Sequence, residues 1–351
     1  MEFGSDFHRC EADFIDAIAA SQQISLMDLY PESRLYASGR HAIESVIRQE
    51  GWKRIWIPAY FCYEVIDAIA ETGIKIMLYD DSPTNQYDDD TVHSLSFQDG
   101  DVLLRMNYFG IRSKRDNENI PVPIIEDHSH DLCSDWSLNS NADWCVASIR
   151  KILPIAAGGI LWSPKKLVLP NSIRLTDECK AMAELRYEAM QMKRDYLRGA
   201  AVCKDDFRVK YIQSEEQIGV LELSAIDEVS NNIVRNMNIR MWSHLKAENW
   251  HLAYSLLKNR FEILHPENKD YWRDSFSLII VCDNMEERNA LRKYLISNSI
   301  YPAVLWSIPE YSNFKEAADF SHRMLSVHCD ARYSKKQIKQ MCEIILQFKN
   351  D

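Results

Sequence analysis

The sequence predicts an α/β fold, with a large domain whose mostly parallel, mixed sheet lies between helices and a small α+β domain at the C-terminal end. Three observations carry that expectation. Between residues 34 and 162, apolar runs of strand length alternate with stretches of helical periodicity, the pattern of a sheet wound with crossover helices. Polar residues follow two of those runs directly, Glu126-Asp127 after one and Ser148 to Lys151 after the next, at the carboxyl ends where open α/β sheets bind ligands. From residue 275 onward, strand and helix alternate again on a smaller scale.

Taken in order, Ser38-Gly39-Arg40 opens a segment whose Ala42, Ile43, Val46 and Ile47 share one helical face. A helix starting there presents free backbone N–H groups, a seat for a phosphate. Residues 54–57 read as a strand, 62–71 as a helix, and 75–79 and 102–106 as strands, with a polar surface loop at 80–90. The runs at 122–126, 144–148 and 159–162 complete the sheet, and 171–199 is helical. Ser214 and Gln217 have capping-box spacing, which predicts a long helix from 214 to about 244 that bridges the domains. Residues 275–281 and 300–305 read as strands, 285–298 as a helix, and a final helix starts at Ser334. The implied division is an N-terminal segment at 1–33, a large domain at 34–225, and the linking helix with the small domain at 226–351.

Composition narrows the function. The 351 residues are 46% hydrophobic, enough for globular burial throughout. A formal net charge of −11 argues against nucleic acid as the main partner, because phosphate binding needs clustered Lys and Arg. No apolar stretch reaches the ~20 residues of a membrane span, and the first residues lack the pattern of a signal peptide, so the expected compartment is the cytoplasm. Nine cysteines, an odd number without a C-x-x-C pair, point to reduced thiols rather than a disulfide framework. There is no G-x-G-x-x-G fingerprint, no G-x-x-x-x-G-K loop and no G-x-S-x-G elbow.

The chemistry concentrates in Glu126-Asp127-His128-Ser129-His130 and in Ser148-Ile149-Arg150-Lys151. A lysine just after one strand and an aspartate at the end of its neighbour fit a pocket that holds pyridoxal phosphate as a Schiff base. Lys151 can condense with the cofactor aldehyde, and the fixed charge of Arg150 beside it favours the neutral amine. Asp127 is placed to keep the pyridine nitrogen protonated. His130 can donate to the phenolic oxygen, and Ser148 can bind the phosphate. Other readings exist for each residue. An Arg-Lys doublet is commonly a solvated pair, and an Asp after a strand is commonly a turn residue. Glu126, Asp127, His128 and His130 would also suit a metal, but no second ligand cluster at metal-like spacing accompanies them, so no metal is expected. Tyr301, Pro302, Trp306, His328 and Arg332 read as packed or surface groups of the small domain.

The order of these motifs resembles the DegT/DnrJ/EryC1/StrS group of pyridoxal-phosphate aminotransferases, in a divergent branch with an S-x-R-K-x-L-P segment. The resemblance spans roughly residues 34 to 340. It is carried by Ser38-Gly39-Arg40-His41-Ala42-Ile43, Ile57-Pro58-Ala59-Tyr60-Phe61-Cys62 and Asn107-Tyr108-Phe109-Gly110. Ile125-Glu126-Asp127, the segment 148–154 with Gly158-Gly159, and residues 211–222 complete the set. It implies the fold type I architecture of pyridoxal-phosphate-dependent transferases, with Lys151 as the Schiff-base lysine and Asp127 as the partner of the ring nitrogen. It places His130 near the phenolic oxygen, and Ser148, Gly39 and Arg40 at the phosphate. Cys62, with Tyr63 beside it, falls where a ring commonly stacks on the cofactor, and Lys210 falls where an Asn reaches across a dimer. Three departures stand out: Arg40 replaces a Thr, Lys210 replaces an Asn, and the stretch from Ser148 to Lys151 is two residues shorter than the common pattern.

The activity implied is transfer of an amino group from a donor such as glutamate to a keto substrate, typically a nucleotide-linked sugar, by a homodimer with interface active sites. The alternatives are a lyase, dehydratase or amino-acid-acting transferase on the same fold, with Arg40, Arg105 and Arg150 as candidate carboxylate binders, or a non-catalytic relative.

Overall fold

The alternating apolar runs close into a seven-stranded sheet in the computed structural model, which describes residues 2–4, 6–10, 24–85, 90–266, 275–309 and 313–349. In chain order the elements begin with β1 (Phe3–Gly4), α1 (Leu26–Leu29), β2 (Arg34–Tyr36), α2 (Gly39–Glu50), β3 (Arg54–Pro58), α3 (Tyr63–Ala70) and β4 (Lys75–Tyr79). They continue with α4 (Asp90–His93), β5 (Asp101–Met106), β6 (Ile124–Asp127), α5 (Asp135–Leu138), β7 (Trp144–Ala147) and β8 (Gly159–Trp162). Next come α6 (Asp177–Leu197), α7 (Lys204–Val220), α8 (Glu228–Asn236), α9 (Ile239–Leu257), β9 (Glu262–Leu264) and β10 (Leu278–Val281). The chain ends with α10 (Met285–Ser297), β11 (Ile300–Tyr301), α11 (Lys315–Arg323), β12 (Met324–Val327) and α12 (Lys335–Leu346).

The large sheet has the order β2-β8-β7-β6-β5-β3-β4. The run from β4 to β7 is parallel, and β8 is antiparallel to both of its neighbours, so the sheet is mixed and mostly parallel as expected. Burial on both faces explains why its strands read as continuous apolar runs. Ile55, Ile57, Val102 and Leu104 pack with Ile43, Val46 and Ile47 of α2 on one face. Trp56, Leu103, Ile124 and Cys145 pack with Met182 and Met190 of α6 and with Trp242 of α9 on the other. A second sheet, β12-β10-β9, is antiparallel, and β1 pairs in parallel with β11. No helix among the described residues is long and apolar enough to cross a membrane.

Two expectations need correction. The long helix from 214 to about 244 does not form. Ser214 lies inside α7 with its hydroxyl donating to the Tyr211 carbonyl at 2.9 Å, so it caps nothing. The helix starts are instead Asp227, whose carboxylate accepts from the Ser230 N–H at 2.9 Å, and Asn238, which accepts from the Met241 N–H at 3.0 Å. The strand expected at 300–305 stops at Tyr301, because Pro302 has no N–H to continue the ladder. Ala303 makes only an isolated bridge to Ser326. Within the polar loop at 80–90, residues 86–89 lie outside the described ones.

Candidate active site

The chain leaves β3, β5, β6 and β7 on the same edge of the sheet, and β3 and β5 flank the point where the strand order reverses. Two connected spaces open there. The larger has a volume of about 490 Å³, and the smaller is a recess of about 110 Å³. Lys151, Arg150, Glu215, Cys62 and Trp306 line both.

Lys151 ends a single 3-10 turn, Ile149–Lys151, whose start is fixed by the Ser148 N–H donating to Ser129 Oγ at 2.8 Å. Its Nζ lies 5.1 Å from the Trp306 ring centroid and has no hydrogen-bond or ion-pair partner among the described residues. Asp127 ends β6, and its Oδ1 accepts from the Ser129 N–H at 2.8 Å while the side chain lines the recess.

His130 follows on the same loop and faces the larger cavity. Its Nδ1 accepts from the Phe109 N–H at 3.1 Å, so in the neutral ring the proton sits on Nε2. Burial first, then Lys151 and Lys246, hold its pKa well below the ordinary histidine value, so the ring is neutral. Nε2 is buried with no partner among the described residues, which makes it an unused donor. Phe109 is held with φ of 54°, a conformation that costs energy for a bulky residue. Two bonds support it, the one to His130 and another from the Phe276 N–H to the Phe109 carbonyl at 2.7 Å.

At the recess, Ser38 caps α2 by accepting from the His41 N–H at 3.2 Å, and the N–H groups of Gly39 and Arg40 remain as the free donors of the helix start. Gly39 lets that start approach closely, since a Cβ there would come within 3.0 Å of the Ser148 backbone nitrogen. Gly159 is needed for the same packing, because its Cβ would collide with the Ser38 carbonyl. The recess therefore offers helix N–H groups, the Ser148 hydroxyl, a carboxylate and a lysine within one pocket, and pyridoxal phosphate fits that donor set. Lys151, Asp127 and His130 would hold its aldehyde carbon, ring nitrogen and phenolic oxygen.

Other residues expected at the site fall differently. The Arg40 guanidinium lines the recess but donates to the Ile218 carbonyl at 2.6 Å and to that of Gly219, so it closes the C-terminus of α7. Cys62 lines both spaces and Tyr63 the larger one. Lys210 lines neither, and its Nζ pairs with Glu188 at 3.0 Å. Arg105 is buried on β5 and lines neither cavity. Strand alternation splits the metal-like set. Glu126 and His128 turn toward Cys145, with ligand-type atoms within 4.8 Å of one another, while Asp127 and His130 face the cavities. Both Glu126 oxygens are engaged, by Asn117 at 2.7 Å, Ser140 at 2.6 Å and His128 at 3.2 Å. Burial alone would raise the Glu126 pKa, and the bonds from His128, Ser140 and Asn117 outweigh it and lower it.

Trp306 and His328, read from sequence as packing or surface groups, both line the larger cavity, together with Arg186, Glu215 and Phe7. Their distance along the chain from Lys151 left no local pattern to find them by.

No protein-family model matches the sequence, and no curated protein matches it. Solved structures do. PseC of Helicobacter pylori, an aminotransferase in the biosynthesis of pseudoaminic acid, is 15% identical with a TM-score of 0.65, covering 99% of each chain. The sugar aminotransferase Spr1654 of Streptococcus pneumoniae in its PLP form is 14% identical with a TM-score of 0.65, covering 98% of each. A DegT DnrJ EryC1 StrS aminotransferase from Brucella abortus is 12% identical with a TM-score of 0.54, covering 95% of this chain and 93% of that one. The chain has the fold that these aminotransferases share.

Proposed function

We propose that this protein is a pyridoxal-phosphate-dependent aminotransferase of the DegT/DnrJ/EryC1/StrS group, moving an amino group from an amino acid such as glutamate to a nucleotide-linked keto sugar. Such a product serves amino sugar biosynthesis, for a surface polysaccharide or a natural product. The observation that carries the reading is a free lysine amine shared by two adjoining cavities, with a buried carboxylate and an anion seat at a helix start in the smaller and an unused imidazole N–H in the larger.

When bound, the cofactor supplies an aldehyde carbon and a ring that withdraws electrons from the reacting carbon. The chain does the rest. The start of α2 and Ser148 would bind the phosphate, and Asp127 would hold a proton on the ring nitrogen. His130 Nε2 would donate to the phenolic oxygen, and the neutral state of the ring leaves that one donor in place. Lys151 Nζ would hold the aldehyde carbon and, when free, would serve as the base that takes up and returns a proton. Phe7, Phe276 and Trp306 add aromatic rings to the lining of the larger cavity.

The protein acts as a cytoplasmic homodimer in this reading. Val209, Ile212 and Val220 expose apolar surface on α7, and Leu167 and Val168 do so nearby in sequence order to β8. Lys210, between Val209 and Ile212, is the residue assigned to the partner's phosphate. The division at 1–33, 34–225 and 226–351 is proposed with it, and is supported by the large sheet lying within residues 34–162 and the second within 262–327.

The test is transfer of labelled nitrogen from L-glutamate to a set of nucleotide-linked keto sugars, read by mass spectrometry with pyridoxal phosphate present. Label in a sugar supports the reading. If glutamate never yields 2-oxoglutarate under these conditions, the transaminase reading fails.

A further inference from the structure

Beside Lys151, the larger cavity holds a charge arrangement that the cofactor chemistry leaves unused. Arg150 grips Glu215 with both ends of its guanidinium, at 2.6 and 3.0 Å. Arg186 reaches the same carboxylate at 2.8 Å. The two cations are built in. Their side chains are 18% and 11% exposed, and Arg186 also donates to Ser214 Oγ at 3.3 Å and lies over the Tyr211 ring at 5.5 Å. Glu215 is the loose member, with its side chain 47% exposed. Burial would raise its pKa, but Arg150 and then Arg186 overcome that and hold it at about 2, so it stays ionised.

An incoming carboxylate has few places to go. Among the described residues lining this cavity, Arg150 and Arg186 are the only guanidiniums. Lys151 is committed to the cofactor, and His130 and His328 are kept neutral by burial, His328 at about 4. A carboxylate that reaches the cavity therefore meets two cations that both hold Glu215 directly, with the Asp6 carboxylate farther off, 3.7 Å from Arg186. Trading one carboxylate for another preserves the charge-assisted hydrogen bonds of both guanidiniums, and Glu215 is near enough to water to be released into it.

We propose that Arg150 and Arg186 form the subsite for the carboxylate of the amino donor, and that Glu215 occupies this subsite as an internal stand-in until an α-amino acid displaces it. The inference rests on the reading of Lys151 as the cofactor lysine, since only then does an amino donor enter this cavity. It makes an amine without a carboxylate a poor donor.

The experiment is calorimetric titration of the full-length protein with glutarate, which has the carboxylates of the donor without its amine, in the absence and presence of pyridoxal phosphate. Wild type, Glu215→Gln and Arg186→Leu are compared, and the KM for L-glutamate is measured alongside. Arg186→Leu should weaken glutarate binding and raise the KM about tenfold or more. Glu215→Gln removes the stand-in's charge without changing its shape, and should tighten glutarate binding severalfold. The sign of the Glu215→Gln effect decides the matter even if Arg186→Leu fails to fold, because Glu215 is half exposed. Weaker glutarate binding in Glu215→Gln, or none in wild type, would overturn the subsite. Glutarate binding without any cofactor band would uphold the carboxylate subsite while removing the cofactor reading, so the two failures are distinguishable.

Discussion

The indole of Trp306 lies almost parallel to the imidazole of His130, with centroids 5.3 Å apart and planes 16° apart. Phe109 lies 5.1 Å from that imidazole with planes 8° apart, and Phe276 lies 4.4 Å away with planes 31° apart. His130 is thus packed among three rings, with Nε2 left as its only unused group. That packing explains how a neutral histidine keeps a fixed direction without a second hydrogen bond.

Removing one of these rings should therefore cost rate rather than fold. Trp306→Ala is expected to lower kcat on the order of 10-fold to 100-fold, because misplaced reacting groups lose rate steeply, and Trp306→Phe should restore most of it. Steady-state kinetics with L-glutamate checks this. Equal loss in both variants would mean that the indole acts through something other than ring stacking.

Asp127 contributes through charge. Asp127→Asn keeps the shape and the bond from the Ser129 N–H, so the cofactor should still bind. The glutamate half-reaction should slow by about 10²-fold or more, the range for losing one preorganised electrostatic partner. Stopped-flow absorbance of the bound cofactor gives the rate, and an unchanged rate would remove Asp127 from its role.

Stability should fall on mild acidification. His8 and His328 are held at about 4, and His130 well below its ordinary value, in each case by burial first. These rings stay neutral in the folded chain while the unfolded chain takes up protons below about pH 6.5, so stability drops as pH falls from about 6.5 to about 4. Asp330 and Glu215, held at about 2, add their own loss only below about pH 4. Tm measured across that range should decline, and His328→Asn should flatten the decline. A Tm that is level between about pH 7 and about pH 5 would contradict the neutral burial of these rings.

Gly159→Ala forces a Cβ into the Ser38 carbonyl, where neither backbone can yield cheaply. The expected cost is about 1–3 kcal/mol or failure to fold, and any folded fraction should bind pyridoxal phosphate more weakly because Ser38 caps the phosphate seat. Chemical denaturation together with cofactor titration measures both. Wild-type stability would show that α2 is not pinned against β8 there.

The large sheet was legible because its strands are short and apolar and are followed by polar residues. Residues 75–79 and 159–162 fall where the periodicity puts them. The helix from 214 was misread because Ser214 and Gln217 have cap spacing inside a helix already formed, and spacing alone does not say whether a hydroxyl points back along its own turn. At the site, Lys151, Asp127, His130 and Ser148 could be found because each follows a strand of one sheet. Arg40 reads as a phosphate neighbour from its place in sequence, yet its long side chain reaches the carbonyls of a helix 178 residues away. Trp306, Arg186 and Glu215 come from separate elements that meet only in the folded chain, so no local pattern marks them.

The most direct measurement is the visible absorption spectrum of the purified full-length protein with added pyridoxal phosphate, wild type beside Lys151→Ala, before and after L-glutamate. A yellow band present only in wild type and bleached by glutamate is the expected result. An equal band in Lys151→Ala, or no band in wild type, would contradict the assignment of Lys151 as the cofactor lysine.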